Sequence, residues 1–209
     1  MAPLKSSDVV DSIRQQAYFE LKDWKSLLEL LPSLKKRNTN EVFLALEKKV
    51  VLGRLNEGGL TDDSLKIIYK KLSAATKNDK DVVLAYCETG SSDQDQEAVL
   101  RHAIKENWQG ALVQRYGDLG APSLQKRSKQ VQTWLKNHED DAALQLCAGK
   151  IYQAQGDRGK AREAFEKSLT LENSSEANEM LAGLVAFDGE YSRSNDYLKA
   201  ALYLIHSSN

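Results

Sequence analysis

The C-terminal part of the chain contains two consecutive copies of one helix–turn–helix pattern, and this repetition restricts the possible folds more than any other feature. In residues 142–175, apolar side chains recur every three or four positions on both sides of Gly156-Asp157, the spacing of an amphipathic helix. Gly156 suits the left-handed conformation that ends a helix, and Asp157 can cap the next one. In residues 175–208, Gly189-Glu190 follows 33 residues after Gly156-Asp157. The sequence therefore predicts a stack of similar helix pairs.

The residue sizes in 142–175 resemble the tetratricopeptide repeat, which has a period of about 34 residues. Small side chains in this repeat lie where the two helices cross, and bulky ones fill the gap to the next pair. Asn173 replaces the usual terminal proline. The resemblance implies an all-α, right-handed superhelical solenoid of antiparallel helix pairs. The matching positions are Gly149, Tyr152, Ala161, Phe165 and Ser168.

Residues 8–139 show more degenerate copies of the same arrangement. Asp23 can cap a helix that begins at Trp24 and carries a leucine stripe, and Gly58-Gly59 interrupts the chain further on. With the two clear repeats, these segments predict about six helix pairs in a single solenoid over 1–209, with a looser joint near 117–123. A first helix follows Asp8, and the other helices predicted here span 24–37, 40–55, 61–75, 81–87, 94–106, 108–116 and 123–137.

Composition excludes several other classes of protein. The chain is 41% hydrophobic and 28% charged, close to a globular average, and its 3 prolines favour long helices. No run of about 18 apolar residues occurs, so we expect no membrane span in this chain. The net charge of −1 gives little attraction to nucleic acid. Residues 1–80 carry 15 Lys and Arg against 11 Asp and Glu, which we interpret as ordinary solvated helix faces rather than a basic docking patch.

Three segments of the chain carry a further resemblance: LKDWKSLLELLPSLKKR at 21–37, LVQRYGDL at 112–119 and VQTWLKNHEDDAALQLCAGKIYQAQGDRGKAREAFEKSLTLE at 131–172. They resemble the HemY family, bacterial inner-membrane proteins that contain tetratricopeptide repeats and are linked to late haem biosynthesis. Members of that family begin with two membrane-spanning helices, and this chain would correspond to their soluble repeat region. The resemblance implies an inner-membrane setting, with the repeat region facing the cytoplasm, and a role tied to porphyrin metabolism.

The sequence gives no support for catalysis. Cys87 and Cys147 belong to no CxxC motif and lie on apolar helix faces, so we interpret them as small buried side chains. The acidic pairs Asp62-Asp63 and Asp140-Asp141 lie at helix starts, where capping accounts for them. Motifs such as GxSxG and HExxH do not occur. We therefore predict a protein that is not an enzyme.

The three histidines are the residues that could ligate a metal or haem. His102, His138 and His206 have no His or Cys partner at ligand spacing. His138 lies at a predicted helix end, where a cation would interact favourably with the helix dipole. A haem ligand would also need an apolar pocket. We therefore predict structural roles for all three histidines and no metal site.

By resemblance to other tetratricopeptide arrays, the binding surface is the concave face formed by the first helices of successive pairs. Only Lys150 matches the Lys and Asn set with which some repeat proteins hold a peptide carboxylate, which favours an internal peptide segment or a folded partner. We call the positions that line this surface in the two clear repeats the predicted concave face. They are Ala143, Leu146, Lys150, Gln153, Ala154, Glu176, Glu179, Gly183, Ala186 and Phe187.

These features predict a protein-interaction scaffold whose partner is a protein or peptide, and the HemY resemblance implies haem-pathway enzymes as partners. The alternative is a carrier that binds a tetrapyrrole in its groove through one of the histidines. The last predicted helix, 195–205, is apolar on more than one face. We therefore expect this helix to meet a partner or a second copy of the chain.

Overall fold

The computed structural model describes residues 6–120 and 124–207, with side-chain surroundings from residue 9 onward. Thirteen α-helices form the regular structure of these ranges, which contain no strand, and the predicted all-α class is confirmed. The helices are α1 (Ser6–Glu20), α2 (Trp24–Lys35), α3 (Asn40–Glu57), α4 (Asp62–Lys71), α5 (Ala74–Lys77), α6 (Lys80–Glu88), α7 (Asp93–Glu106), α8 (Gly110–Gly117), α9 (Leu124–Leu135), α10 (Ala142–Ala154), α11 (Arg158–Leu171), α12 (Ser175–Phe187) and α13 (Tyr191–Ser207).

The chain divides into two compact units, residues 1–92 and 93–209. Within each unit, most helices pack on helices adjacent to them in sequence, which confirms the predicted packing of neighbouring helices. The division falls at the Gly90-Ser91-Ser92 turn. A single right-handed solenoid over 1–209 stays a prediction, and residues 121–123 of the predicted joint lie outside the described ranges.

In the first unit, α2 packs against both α1 and α3, and α3 also packs against α5 and α6. Leu27, Leu31, Phe43 and Val50 form the core between α2 and α3. Gly53 of α3 lies against the ring of Trp24, and a Cβ atom at Gly53 would lie only 2.4 Å from that ring. The missing side chain at this glycine therefore sets how closely α2 approaches α3.

In the second unit, α8 and α9 both pack on α10, and α11, α12 and α13 then pack in succession. Ala161 is fully buried where α10 crosses α11. A Cβ atom at Gly149 would lie 2.3 Å from the Phe165 ring, so the small residue expected at position 149 lies in direct contact with the bulky one, a contact that the sequence did not predict. Gly156 and Gly189 each have a φ of 81°, which confirms the left-handed helix ends expected from the sequence.

The single helix predicted over 61–75 is wrong, because the chain bends at Leu72-Ser73 between α4 and α5. The Ser73 hydroxyl oxygen caps α5 by accepting a bond from the Thr76 N–H at 3.2 Å. Glu47 of α3, which is buried, accepts bonds from the Ser73 N–H and from the hydroxyls of Ser73 and Thr76. This carboxylate lies 26 residues before Ser73, so local helix propensity could not reveal the bonds that interrupt the helix.

Both cysteines are buried, as interpreted from the sequence. Burial raises the pKa of the Cys147 thiol to about 12, so this thiol is protonated at neutral pH. Among the described residues, no helix is both long enough and apolar enough to cross a bilayer.

Candidate functional site

An open cavity of about 510 Å³ lies in the first unit, between α2, α3 and α4. Ligand pockets in proteins commonly enclose about 300–1,000 Å³, so this cavity is large enough to hold several side chains. We call it the α2–α4 trough. It is lined by Lys25, Leu28, Glu29, Leu31, Pro32 and Lys35 from α2, by Phe43, Glu47 and Arg54 from α3, and by Leu60, Ser64, Ile67, Ile68, Lys71 and Leu72 from α4 and its flanks.

Each of the two longer walls of the trough is one continuous stripe of a helix. On α2, each lining position from Lys25 to Lys35 lies three or four residues from another lining position, the spacing of a single helix face. On the α4 side, Leu60, Ser64, Ile67, Ile68 and Lys71 follow the same rule. The trough therefore runs along the full length of both helices.

The inner surface of the trough is largely apolar. Phe43, Leu31 and Leu72 are buried beneath it, whereas Ile67 is 57% exposed on the α4 wall. The apolar side chain of Ile67 is therefore in contact with water, and a bound partner would cover it. Pro32 has no N–H group, so the carbonyl of Leu28, one turn earlier, receives no bond from it.

Helix α4 is held in place from its C-terminal end. The Glu47 bonds to Ser73 and Thr76 fix the bend that follows α4. The Tyr69 hydroxyl donates to the Lys77 carbonyl at 2.6 Å, and its ring lies 4.8 Å from that of Tyr86. Burial raises the pKa of Tyr69 above its ordinary value. These contacts fix the C-terminal end of α4, one of the helices that line the trough.

The rim of the trough is basic. Lys25, Lys35 and Lys71 are exposed, and none of them forms an ion pair with a described residue. The ammonium of Lys35 lies 5.6 Å from the centroid of the Phe43 ring, at the edge of the apolar floor. Arg54 is already paired with Glu57 at 3.0 Å. Two carboxylates line the trough. Glu47 already accepts hydrogen bonds from Ser73 and Thr76, so Glu29 is the lining carboxylate that these bonds do not hold.

On the predicted concave face, two residues are engaged inside the second unit. Leu146 is 1% exposed and packs in the core with Phe165 and Leu181, so it presents no surface to a partner. Ala143 lies against Gly110 of α8, where a Cβ atom would come within 3.3 Å of the alanine side chain. Sequence position within the repeat identified their helix correctly but not their burial.

Lys150 connects three helices of the second unit. Its ammonium donates to Asp118, which follows α8, at 2.5 Å, and to Glu176 in the first turn of α12. The side chain is 10% exposed. Burial alone would lower the pKa of Lys150, but the two carboxylates raise it above its ordinary value. An ammonium that already holds two carboxylates is poorly suited to grip a third from a peptide.

The remaining members of the predicted concave face differ in exposure. Glu176 and Ala186 are half-buried. Phe187 is 70% exposed, with the guanidinium of Arg158 lying 3.5 Å from its ring centroid. The role of this face in binding stays a prediction. Its exposed members are Gln153, Ala154, Glu179, Gly183 and Phe187.

Two of the three histidines make contacts within the protein that indicate structural roles. The His138 ring stacks on Trp108 at a centroid distance of 3.8 Å, and the Trp108 indole N–H donates to Asp141 at 2.7 Å. Nδ1 of His206 lies 2.7 Å from the Leu202 carbonyl, within its own helix. His102 is exposed. No histidine is among the residues that line the trough, and no group of three or more potential metal ligands occurs in the described ranges.

Sequence reasoning missed the trough, although two of its signals were visible. The excess of basic residues before residue 80 was interpreted as solvated faces, and three of those lysines form the rim. Pro32 inside a leucine-rich helix was a second signal. Neither signal locates a cavity, because the opposing wall depends on the bend at Leu72-Ser73 and on its contact with Glu47.

No protein-family model matches the chain, and no curated protein matches it. Solved structures with partial likeness include one described as MamA 41-end from Desulfovibrio magneticus RS-1, with a TM-score of 0.48 and 15% identity, covering 89% of this chain and 97% of that one. Another, described as the crystal structure of MamA, has a TM-score of 0.49 and 17% identity, covering 70% and 88%. Identities and scores this low do not establish a shared function.

Proposed function

We propose that this chain is a protein-interaction module that binds a segment of another protein in the α2–α4 trough. The observation that carries the proposal is an open apolar cavity whose walls are two complete helix faces. Helix-walled hydrophobic grooves commonly bind peptide segments. The exposed side chain of Ile67 would be covered by such a partner.

A selection experiment tests the proposal and does not require an identified partner. A displayed library of random peptides is selected on the wild-type chain, on Ile67→Gln and on Val42→Gln. Val42 is a matched control, because it is also an exposed β-branched residue of the first unit, at 53% exposure, but does not line the trough. We expect peptides that bind wild type and Val42→Gln and that lose binding to Ile67→Gln.

The outcome that contradicts the proposal is equally specific. If no peptide is enriched, or if the enriched peptides bind Ile67→Gln as tightly as wild type, the α2–α4 trough is not a peptide site. Circular dichroism of both variants establishes that the helices are intact, which the exposure of both positions leads us to expect.

The resemblance of residues 21–37, 112–119 and 131–172 to the HemY family supports a finer proposal for the setting. On that basis the interaction takes place at the cytoplasmic side of a bacterial inner membrane, and the partners to test first are haem-pathway enzymes. Co-purification with the membrane-anchored form tests this. Recovery of none of those enzymes above the Ile67→Gln background would count against the haem link and leave the peptide site in place.

We do not extend the proposal to a tetrapyrrole carrier. A haem carrier needs an apolar pocket with an axial ligand. The trough is apolar but is not lined by histidine, cysteine, methionine or tyrosine.

A further inference from the structure

We infer that the partner of the α2–α4 trough is an amphipathic helix whose polar side is acidic. The inference rests on the proposed function and adds the shape and the charge of the bound segment. It follows from the length of the walls, the apolar floor and the unpaired lysines of the rim.

The length of the trough suits a helix of about three turns. The α2 wall extends from Lys25 to Lys35, and ten residues of helix span about 15 Å at 1.5 Å per residue. The α4 wall, from Ser64 to Lys71, lies on the opposite side of the same cavity. A partner helix lying between these walls would place apolar residues at positions i, i+3, i+4 and i+7 against Leu28, Ile67 and the floor.

The charges of the rim select an acidic partner. Lys25 and Lys35 lie at the two ends of the α2 wall and Lys71 lies on the other wall, so a bound helix would have ammonium groups on both sides. None of the three forms an ion pair with a described carboxylate, and they outnumber Glu29, the exposed carboxylate of the lining. Acidic residues flanking the apolar stripe of the partner would pair with them, which steers association and fixes register. A basic helix would instead bring like charges together.

The apolar floor argues against a nucleic acid as the occupant. A polyanion would contact the lysines but would leave Ile67 and Leu28 without an apolar partner. A second copy of this chain remains an alternative occupant, and sedimentation distinguishes it.

Fluorescence anisotropy with designed peptides tests the inference. The first peptide, of about 14 residues, has leucines at i, i+3, i+4 and i+7 and glutamates on its polar side. The second carries lysine in place of every glutamate, and the third has the composition of the first in scrambled order. We expect saturable binding of the first peptide only, with a Kd that rises between about 50 and about 300 mM NaCl.

A matched set of lysine variants assigns the charge effect to the rim. Replacing Lys25, Lys35 and Lys71 together by Gln should raise the Kd of the acidic peptide at least about tenfold. Replacing Lys36, Lys70 and Lys80 by Gln removes the same charge from exposed positions outside the lining. That control should change the Kd by less than about twofold.

Several results would overturn the inference without overturning the proposal that the trough binds a peptide. Equal binding of the acidic and basic peptides, or equal effects of the two lysine triples, would show that charge does not select the partner. If the peptides selected for the trough are neither helical nor acidic, the partner is not an acidic helix, although the trough would still be a peptide site. A concentration-dependent dimer that Ile67→Gln abolishes would identify the occupant as a second copy.

Discussion

Gly149 and Phe165 show how one missing side chain sets the distance between two helices. The Phe165 ring is fully buried and occupies the space where a Cβ atom at Gly149 would lie. The sequence predicted a small residue at 149 and a bulky one at 165 from the repeat pattern, but not their contact with each other. The equivalent contact of Gly53 with Trp24 was not predicted, since the first unit departs from that pattern.

Gly149→Ala should therefore destabilise the second unit. Overpacking a buried contact typically costs about 1–3 kcal/mol, which exceeds the gain of up to about 1 kcal/mol in helix propensity. Gly183 lies 34 residues later, at the same place in the next repeat, and a Cβ atom there would meet nothing within 4 Å. Gly183→Ala should be neutral or mildly stabilising. Urea unfolding measures both, and equal effects of the two substitutions would contradict the packing argument.

Glu97 is a fully buried carboxylate with three donors. Tyr116 Oη donates to it at 3.0 Å, Arg101 Nε at 3.0 Å and Lys126 Nζ at 2.5 Å. Burial alone would raise the pKa of Glu97, but these bonds outweigh it and hold the pKa below the ordinary value of 4.5. The folded state therefore favours the ionised form.

The sign of the resulting pH dependence is fixed by that shift. Because the folded pKa lies below the unfolded one, the contribution of Glu97 to stability is complete above pH 4.5 and is lost as pH falls through the folded pKa. In Glu97→Gln, the decline of the unfolding free energy below pH 4.5 should be shallower than in wild type. Glu106→Gln, at an exposed position of the same helix, controls for the loss of one charge. Parallel wild-type and Glu97→Gln profiles would refute this role.

At the scale of whole elements, a buried arginine of α9 binds the C-terminal end of α8. The Arg127 guanidinium of α9 donates to the carbonyls of Tyr116, Gly117, Leu119 and Gly120. The carbonyls of Tyr116 and Gly117 belong to the end of α8, where a helix leaves its last carbonyls without intrahelical partners, and a cation there also interacts favourably with the helix dipole. Leu119 and Gly120 lie just after the helix. Burial lowers the pKa of the guanidinium.

Arg127→Met should destabilise the second unit by about 2–4 kcal/mol, because buried carbonyls would lose their donors. Lys129→Met removes one positive charge from an exposed position of the same helix and should change stability by less than about 0.5 kcal/mol. Urea unfolding of the two variants compares them directly. A loss in Arg127→Met no larger than that in Lys129→Met would mean that Arg127 does not stabilise the end of α8.

Helices and caps were the part of the fold that the sequence predicted best. Asp23, Asp141 and Asp157 all cap the helices that follow them, because capping depends on residues a few positions apart. The structural roles of Arg127 and Glu47 were not predicted, because they depend on contacts made when separate segments pack together. Each is a charged residue whose partners are decided by packing, and nothing in its own helix distinguishes it from a solvated side chain.

At the scale of the molecule, the division at residue 92 was not predicted from the sequence. The turn at 90–92 is short and polar, like the turns inside each unit, so local composition gives no sign of a boundary. The same limit applies to the candidate site. Each of its residues is present in the sequence, but the sequence does not show that they line one cavity.

The second unit contains cores of its own, so a fragment of residues 93–209 should fold without residues 1–92. A shorter fragment, 93–139, lacks α10, against which both α8 and α9 pack. Leu112, Val113 and Tyr116 of α8 are fully buried in the complete unit, and removing α10 takes away one of the helices that cover α8. We expect a cooperative thermal transition by circular dichroism for 93–209 and none for 93–139. Absence of a transition in 93–209 would contradict this.

The double pairing of Lys150 has a practical consequence for covalent labelling. Amine-reactive dyes and coupling resins attack unprotonated, accessible amines, and Lys150 is both nearly buried and held protonated by Asp118 and Glu176. Lys25, Lys35 and Lys71 are exposed and would react instead. Attaching the chain to a sensor surface through its lysines would therefore cover the α2–α4 trough in every molecule that reacts at the rim, whereas attachment through a tag would leave it open.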